Sequence, residues 1–88
     1  MIAIDFDIIV FQEDNTCIAY CPALDVSSCG DTIEDAKKMI KTAVRLFVEE
    51  SEKMGTLEEI LHEANYKKLP SGRWIPPKIV ATELVSVA

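Results

Sequence analysis

The sequence has few of the residues that mark several large classes of protein. Its 88 residues include only three glycines and four prolines, and no long stretch is free of charged or turn-forming residues. The low glycine and proline content excludes collagen-like and low-complexity chains, and the apolar runs fall short of the roughly 20 residues that span a bilayer. No basic segment followed by an apolar stretch opens the chain, so we expect a soluble cytoplasmic protein.

Positive charge is scarce relative to negative charge. Fifteen Asp and Glu residues stand against nine Lys and Arg residues, which gives a net charge of -6. Affinity for nucleic acid comes mainly from basic groups that displace counterions, so this balance disfavours direct binding to a phosphate backbone. A basic protein partner is favoured instead.

The cysteines, Cys17, Cys21 and Cys29, are an odd number. Without an export signal they predict reduced thiols rather than a disulfide framework. With His62 they supply the donor atoms of a zinc site, but Cys17 and Cys21 would lie about 13 Å apart in an extended strand. The alternative is that they are small buried side chains, with Cys21 and Cys29 as cross-strand neighbours if the hairpin register allows it. We expect no metal and no cofactor.

Residues that could carry catalysis are few. Asp5 and Asp7 project from one face of the first predicted strand, which is too small a carboxylate set for a magnesium site. His62 has no Ser or Cys nucleophile near it in sequence. No phosphate-binding loop occurs either, so we expect that the protein is not an enzyme.

The first third of the chain predicts three antiparallel strands. Apolar residues occupy alternate positions from the start, namely Ile2, Ile4, Phe6, Ile8 and Val10, and this period of two predicts a strand with one buried face. Residues 13–15 supply a hairpin turn. The second strand, residues 17–21, places Ile18 and Tyr20 on one face and the cysteines on the other, and Pro22 ends it. Residues 26–30 return as a third strand.

The remainder predicts two helices and a last strand. Thr32 is the expected N-cap of a long amphipathic helix that stops near Gly55, and residues 56–59 resemble a capping box for a short helix through about Ala64. Residues 67–77 are predicted to be a loop anchored by Trp74, and residues 79–87 a final strand. The order β-β-β-α-α-β predicts one α+β domain over residues 1–88, an antiparallel sheet with one long helix on one face.

Two stretches resemble the HicB-like antitoxin family: residues 20–24 (YCPAL) and residues 30–36 (GDTIEDA). The break at Gly55, residues 74–77 (WIPP) and the last predicted strand are similar to a small single-domain subgroup. Residues 22–30 differ, because they lack the Pro-Gly-Cys turn common in the family and are one residue shorter.

The resemblance implies a truncated ribonuclease-H-like or double-stranded-RNA-binding-like α+β fold without catalytic residues. Family members bind a small basic HicA-type toxin, an mRNA-cleaving ribonuclease, and block it. Full-length members usually add a C-terminal DNA-binding domain, which this sequence does not show after its last predicted strand. We therefore do not expect a single chain to bind operator DNA, although a symmetric oligomer could still do so.

Negative charge also suggests where a partner would bind. The acidic cluster formed by Glu49, Glu50, Glu52, Glu58, Glu59 and Glu63 includes three residues at the end of the long helix, where negative charge costs stability. The row of Lys37, Lys41 and Arg45 is interpreted as a solvated helix face. The predicted partner-binding residues are Glu13, Asp14, Asn15, Tyr20, Glu49 and Glu52. We also expect a homo-oligomer, a dimer or tetramer formed through an edge strand. The alternative function is a solitary homo-oligomer without a toxin that pairs residues 79–87 across subunits.

Overall fold

The protein is described by a computed structural model that covers residues 2–88. In chain order it contains β1 (Ile9–Glu13), β2 (Thr16–Cys21), β3 (Val26–Gly30), α1 (Ile33–Met54), α2 (Leu57–Glu63), β4 (Lys67–Lys68) and β5 (Trp74–Ile75). Strands β1, β2 and β3 form an antiparallel sheet in that order, and β4 and β5 form a separate antiparallel pair. The α+β class, the three-stranded meander and the long helix on one face of it are confirmed.

Helix α1 begins and ends where the sequence predicts. The Thr32 hydroxyl accepts a hydrogen bond of 3.0 Å from the backbone N–H of Asp35, and Gly55 takes a left-handed conformation with φ +73° after the last turn. The side chains of Ala36, Ile40 and Val44 are buried along one stripe of the helix. Thr56 differs from the prediction. Its hydroxyl donates a hydrogen bond to the backbone carbonyl of Ser51 in α1 and does not cap α2. Neither helix in residues 2–88 combines the length and the apolar composition of a membrane span.

Small residues on the inner face of the sheet let α1 approach closely. Ala19 and Cys21 are fully buried there, and burial raises the pKa of the Cys21 thiol. The register does not make Cys21 and Cys29 cross-strand neighbours, because Cys21 lies opposite Val26 and Cys29 lies opposite Ile18. The prediction of buried cysteines holds for Cys21 but is wrong for Cys29, which is exposed. The thiols of all three cysteines are free.

The first strand is shorter than predicted. The alternation is correct, since even positions from Ile2 to Ile8 are half-buried and odd positions are exposed, but pairing with β2 begins only at Ile9. Residues 2–8 extend beyond the end of β2, and there Ile4 forms a parallel bridge with Trp74. The N–H of Trp74 donates to the carbonyl of Ala3 at 2.9 Å, and its carbonyl accepts from the N–H of Asp5 at 3.0 Å. Trp74 is buried, as predicted for an anchor.

The predicted final strand is wrong, and the predicted loop contains β4 and β5. Residues 79–88 lie outside any strand and are exposed. Residues 79–88 cannot extend β5 as a strand, because β5 lies on the same edge of the N-terminal segment as β2. The odd residues Ala3 and Asp5 bond to β5, and the two-residue turn between Glu13 and Thr16 makes the odd residues of β1 the hydrogen-bonded partners of β2. A continuation of β5 would therefore meet the end of β2 at Pro22, and the prolines at 76 and 77 cannot donate to a sheet.

Tyr66 joins the helical part of the chain to this N-terminal segment. Its side chain is buried, and its hydroxyl donates a hydrogen bond of 2.9 Å to the backbone carbonyl of Asp5. Burial raises the pKa of Tyr66 well above its ordinary value of 10.0. The phenol therefore stays neutral in the folded protein at pH values where it would ionise in the unfolded chain.

We expect this tyrosine to make stability fall at alkaline pH. Because the folded-state pKa is the higher one, the contribution of Tyr66 is present in full below about pH 10 and is lost as the pH rises through the folded pKa. Tyr66→Phe should cost about 1 kcal/mol at neutral pH, the value of one hydrogen bond, and should make unfolding less sensitive to alkali. Urea unfolding of both proteins at neutral pH and at about pH 11 measures this. Parallel losses in both proteins would contradict it.

Candidate protein-binding surface

The outer face of the three-stranded sheet carries an apolar patch. Ile9 lies directly opposite Tyr20, and Phe11 lies directly opposite Ile18. These four side chains point away from α1. Side chains alternate between the two faces of a strand, and Ala19 and Cys21 of β2 are buried on the face that α1 covers. We call Ile9, Phe11, Ile18 and Tyr20 the outer patch. Phe11 is 52% exposed, so no part of residues 2–88 forms a second layer over the centre of this face.

Carboxylates surround the outer patch. We call Asp7, Glu13, Asp14 and Asp25 the acidic rim. Asp7 and Glu13 share the parity of Ile9 and therefore the outer side of the strand, and Asp14 follows at the hairpin turn. Asp5 has the same parity, but its carboxylate is held by Arg73, whose guanidinium lies 2.6 Å away. The outer face thus combines an apolar centre with negative charge.

Tyr20 has a fixed position on this face. Its hydroxyl donates a hydrogen bond of 3.0 Å to a carboxylate oxygen of Asp25. This bond raises the pKa of the Tyr20 hydroxyl above its ordinary value of 10.0. Asp25 has φ +54° within the turn between β2 and β3, where a short polar side chain tolerates the left-handed conformation. A neutral aromatic ring beside a carboxylate suits contact with a cationic side chain.

The hairpin tip projects three of the predicted residues into solvent. Glu13, Asp14 and Asn15 are all exposed. Asp14 takes the left-handed conformation with φ +53°, and the amide of Gln12 donates to its carbonyl at 3.3 Å. Tyr20 lies on the same pair of strands, four residues along β2 from Thr16, with Phe11 and Ile18 between it and the tip.

The structure separates Glu49 and Glu52 from that surface. Helix α1 starts three residues after Gly30, which pairs with Cys17 near the hairpin turn. At 1.5 Å per residue, Glu49 lies about 24 Å further along the helix, and α1 covers the face opposite to the outer patch. Glu49 makes a weak contact of 3.9 Å with Arg45. The predicted residues therefore form two groups, one on the outer side of the β1–β2 hairpin and one at the far end of the helix that covers the inner face.

The sequence interpretation named Tyr20 but missed Ile9, Phe11 and Ile18 as surface residues. A signal for them was present, because β2 carries apolar side chains on both faces while only one helix is long enough to cover the sheet. A strand of that kind needs a covering layer on each face, and in the described part of the chain only the inner face has one.

Other chemistry is sparse in the part of the chain that the structure describes. Residues 2–88 contain no group of three or more His, Cys, Asp and Glu side chains placed to hold a metal ion. His62 packs its ring edge-on against Trp74, with centroids 5.4 Å apart. No protein-family model, no curated protein and no solved structure matches this chain.

Proposed function

We propose that this protein is a HicB-like antitoxin that binds a small basic mRNA-cleaving toxin of the HicA type and blocks its access to RNA. The observation that carries the proposal is the outer patch with its acidic rim. Stable protein interfaces have an apolar core enriched in aromatic residues within a polar border, and Phe11 and Tyr20 stand at the centre of such an arrangement. The finer fold that goes with this proposal is the truncated ribonuclease-H-like fold of that family.

The charge of the surface fits the chemistry of the partner. A ribonuclease binds phosphates through basic side chains, so a protein that covers that site needs carboxylates in matching places. The acidic rim supplies them, and the net charge of -6 attracts a basic protein from a distance. Inhibition is steric, because the rim competes with RNA for the same cations, and it requires neither catalysis nor a cofactor.

The two groups of predicted residues have different roles in this mechanism. Glu13, Asp14, Asn15 and Tyr20 contact the toxin at the outer face. Glu49 and Glu52, at the far end of α1, act through long-range attraction and raise the association rate. Residues that match the family motif, such as Gly30 and Thr32, maintain the fold rather than the interface.

The test begins with a pull-down of the tagged full chain from its native cell lysate at low and high salt, with mass identification. We expect a small basic ribonuclease that is retained at low salt. With that protein purified, Phe11→Asp should weaken binding about 100-fold, since central aromatic residues contribute 2 kcal/mol or more. Met39→Asp is the matched control, because Met39 on α1 is also 52% exposed. Equal effects of the two changes would contradict the proposed surface.

Charge-reversal variants distinguish direct contact with the toxin from long-range electrostatic attraction of it. Glu13→Lys with Asp14→Lys should raise the dissociation rate and lower the association rate, whereas Glu49→Lys with Glu52→Lys should lower only the association rate and its salt dependence. Unchanged salt dependence in the second variant would exclude a contribution from the helix end.

The alternative function is that of a solitary homo-oligomer without a toxin. The exposed apolar side chains in residues 79–88 favour it. Recovery of the bait alone, as a defined multimer, would replace the antitoxin proposal with this one.

A further inference from the structure

Residues 2–13 form an extended segment whose two edges differ. The N–H and C=O groups of the odd-numbered residues point towards β5 and β2. Those of the even-numbered residues therefore point towards the opposite edge of the segment. Among the described residues, the backbone groups of Ile4, Phe6 and Ile8 have no backbone partner on that side. We call the even positions from 4 to 12 the open edge. Unpaired edges of this length are templates for a further strand.

An apolar groove runs beside the open edge, between it and α1. Its floor is formed by Ile2, Ile4, Phe6, Val44 and Val48. Two exposed cations, Lys41 and Arg45, stand along the same groove. A strand added to the open edge would place alternate side chains on this floor and beneath these cations.

The tail, residues 79–88, has the composition of such a strand. Its odd positions are Ile79, Ala81, Glu83, Val85 and Val87, which are apolar except for one central carboxylate. Of its five even positions, two are polar, Thr82 and Ser86. Leu84 is 97% exposed. The odd face therefore matches a groove that is apolar except for two cations.

The tail does not reach the open edge of its own chain. It leaves β5 on the side occupied by β2, and residues 77–79 pass beside Asp7, Pro22 and Ala23. The open edge lies on the opposite side of the same strand. A tail from another copy meets no such obstacle, and its ten residues match the length of segment 2–11 at about 3.3 Å per residue.

We propose that the tail of one copy adds as a strand to the open edge of a second copy, with Glu83 between Lys41 and Arg45 of that copy. Reciprocal exchange gives a closed two-fold dimer. Backbone hydrogen bonds satisfy the open edge, and the odd side chains of the tail cover the groove. The outer patch stays accessible, so the dimer is compatible with toxin binding.

A matched pair of variants tests this proposal on the full chain. Sedimentation velocity of the wild type should show a dimer, and Val85→Ser should raise its dissociation constant about tenfold or more. Leu84→Ser, on the other face of the tail, should change it less than about threefold. Both side chains are exposed in the single chain, so neither change disturbs its fold. A monomeric wild type, or equal effects of the two variants, would overturn the proposal.

Charge exchange tests the register. Glu83→Lys and the double change Lys41→Glu with Arg45→Glu should each weaken the dimer, and their combination in one chain should restore it. In hydrogen exchange, the amides of Ile4, Phe6 and Ile8 should be protected in the wild-type dimer and exposed in Val85→Ser. Protection of these amides only when the toxin is added would overturn the proposal and assign the open edge to the toxin.

Discussion

Replacing Gly30 with valine is expected to lower the free energy of unfolding by about 3 kcal/mol or more. A Cβ atom at Gly30 would lie 2.6 Å from the backbone nitrogen of Ala36 and 2.8 Å from the carbonyl carbon of Asp35. Both atoms belong to the first turn of α1, so no side-chain rotation relieves the clash and the helix must move off the sheet. Gly30→Ala should cost less, about 2 kcal/mol. Urea unfolding followed by circular dichroism measures both changes.

Gly55 provides a control that separates lack of space from backbone conformation. A Cβ atom at Gly55 meets nothing within 4 Å, but its φ of +73° disfavours any other residue. Gly55→Ala should therefore cost about 1 kcal/mol, and Gly55→Asn less. If Gly30→Val cost no more than Gly55→Ala, close contact between β3 and α1 would not be what requires glycine at position 30.

Trp74→Ala is expected to cost about 3–5 kcal/mol, as for other large buried side chains. Trp74 is 3% exposed, its ring contacts His62, and its backbone holds the N-terminal segment through two hydrogen bonds. The change leaves a cavity between α2, β5 and residues 2–5. Because Trp74 is the only tryptophan, unfolding has to be followed by circular dichroism rather than by its fluorescence.

The outcome for Trp74 is checked against two further variants. Trp74→Phe retains most of the buried area and should cost distinctly less than the alanine change. Leu84→Ala removes an apolar side chain of the tail, and in the isolated chain it should change stability by less than about 0.5 kcal/mol. A similar loss in Leu84→Ala at concentrations where the chain is monomeric would mean that the tail is part of the core.

The parts of the fold that local signals determine were predictable. Alternation of apolar residues, the cap at Thr32, the left-handed Gly55 and the stop at Pro22 each act within a few residues, and β2, β3 and α1 lie where they indicate. The last strand was not predictable in this way. A Val-rich segment shows that a strand is favourable, but it does not show that an edge is available, and here β2 already occupies the edge that β5 uses.

The candidate site was predictable only in part, for a related reason. The turn residues Asp14 and Asn15 are exposed because hairpin turns are exposed, so their place follows from sequence. Phe11 was not identified as a surface residue, because a strand pattern does not reveal which face of a sheet stays uncovered. The distance between Glu49 and the hairpin depends on the direction in which α1 crosses the sheet, which is a property of the assembled fold.

The bridge between Ile4 and Trp74 is expected to form late in folding. It joins residues about 70 positions apart, whereas β1, β2, β3 and α1 make contacts between neighbours in sequence. Local contacts form early, and the closure of a long loop comes late. On the ribosome the chain is made from its N-terminal to its C-terminal end, so residues 2–8 are synthesised well before the residue that closes this bridge. The backbone groups of Ala3 and Asp5 stay without their partner until Trp74 has been made.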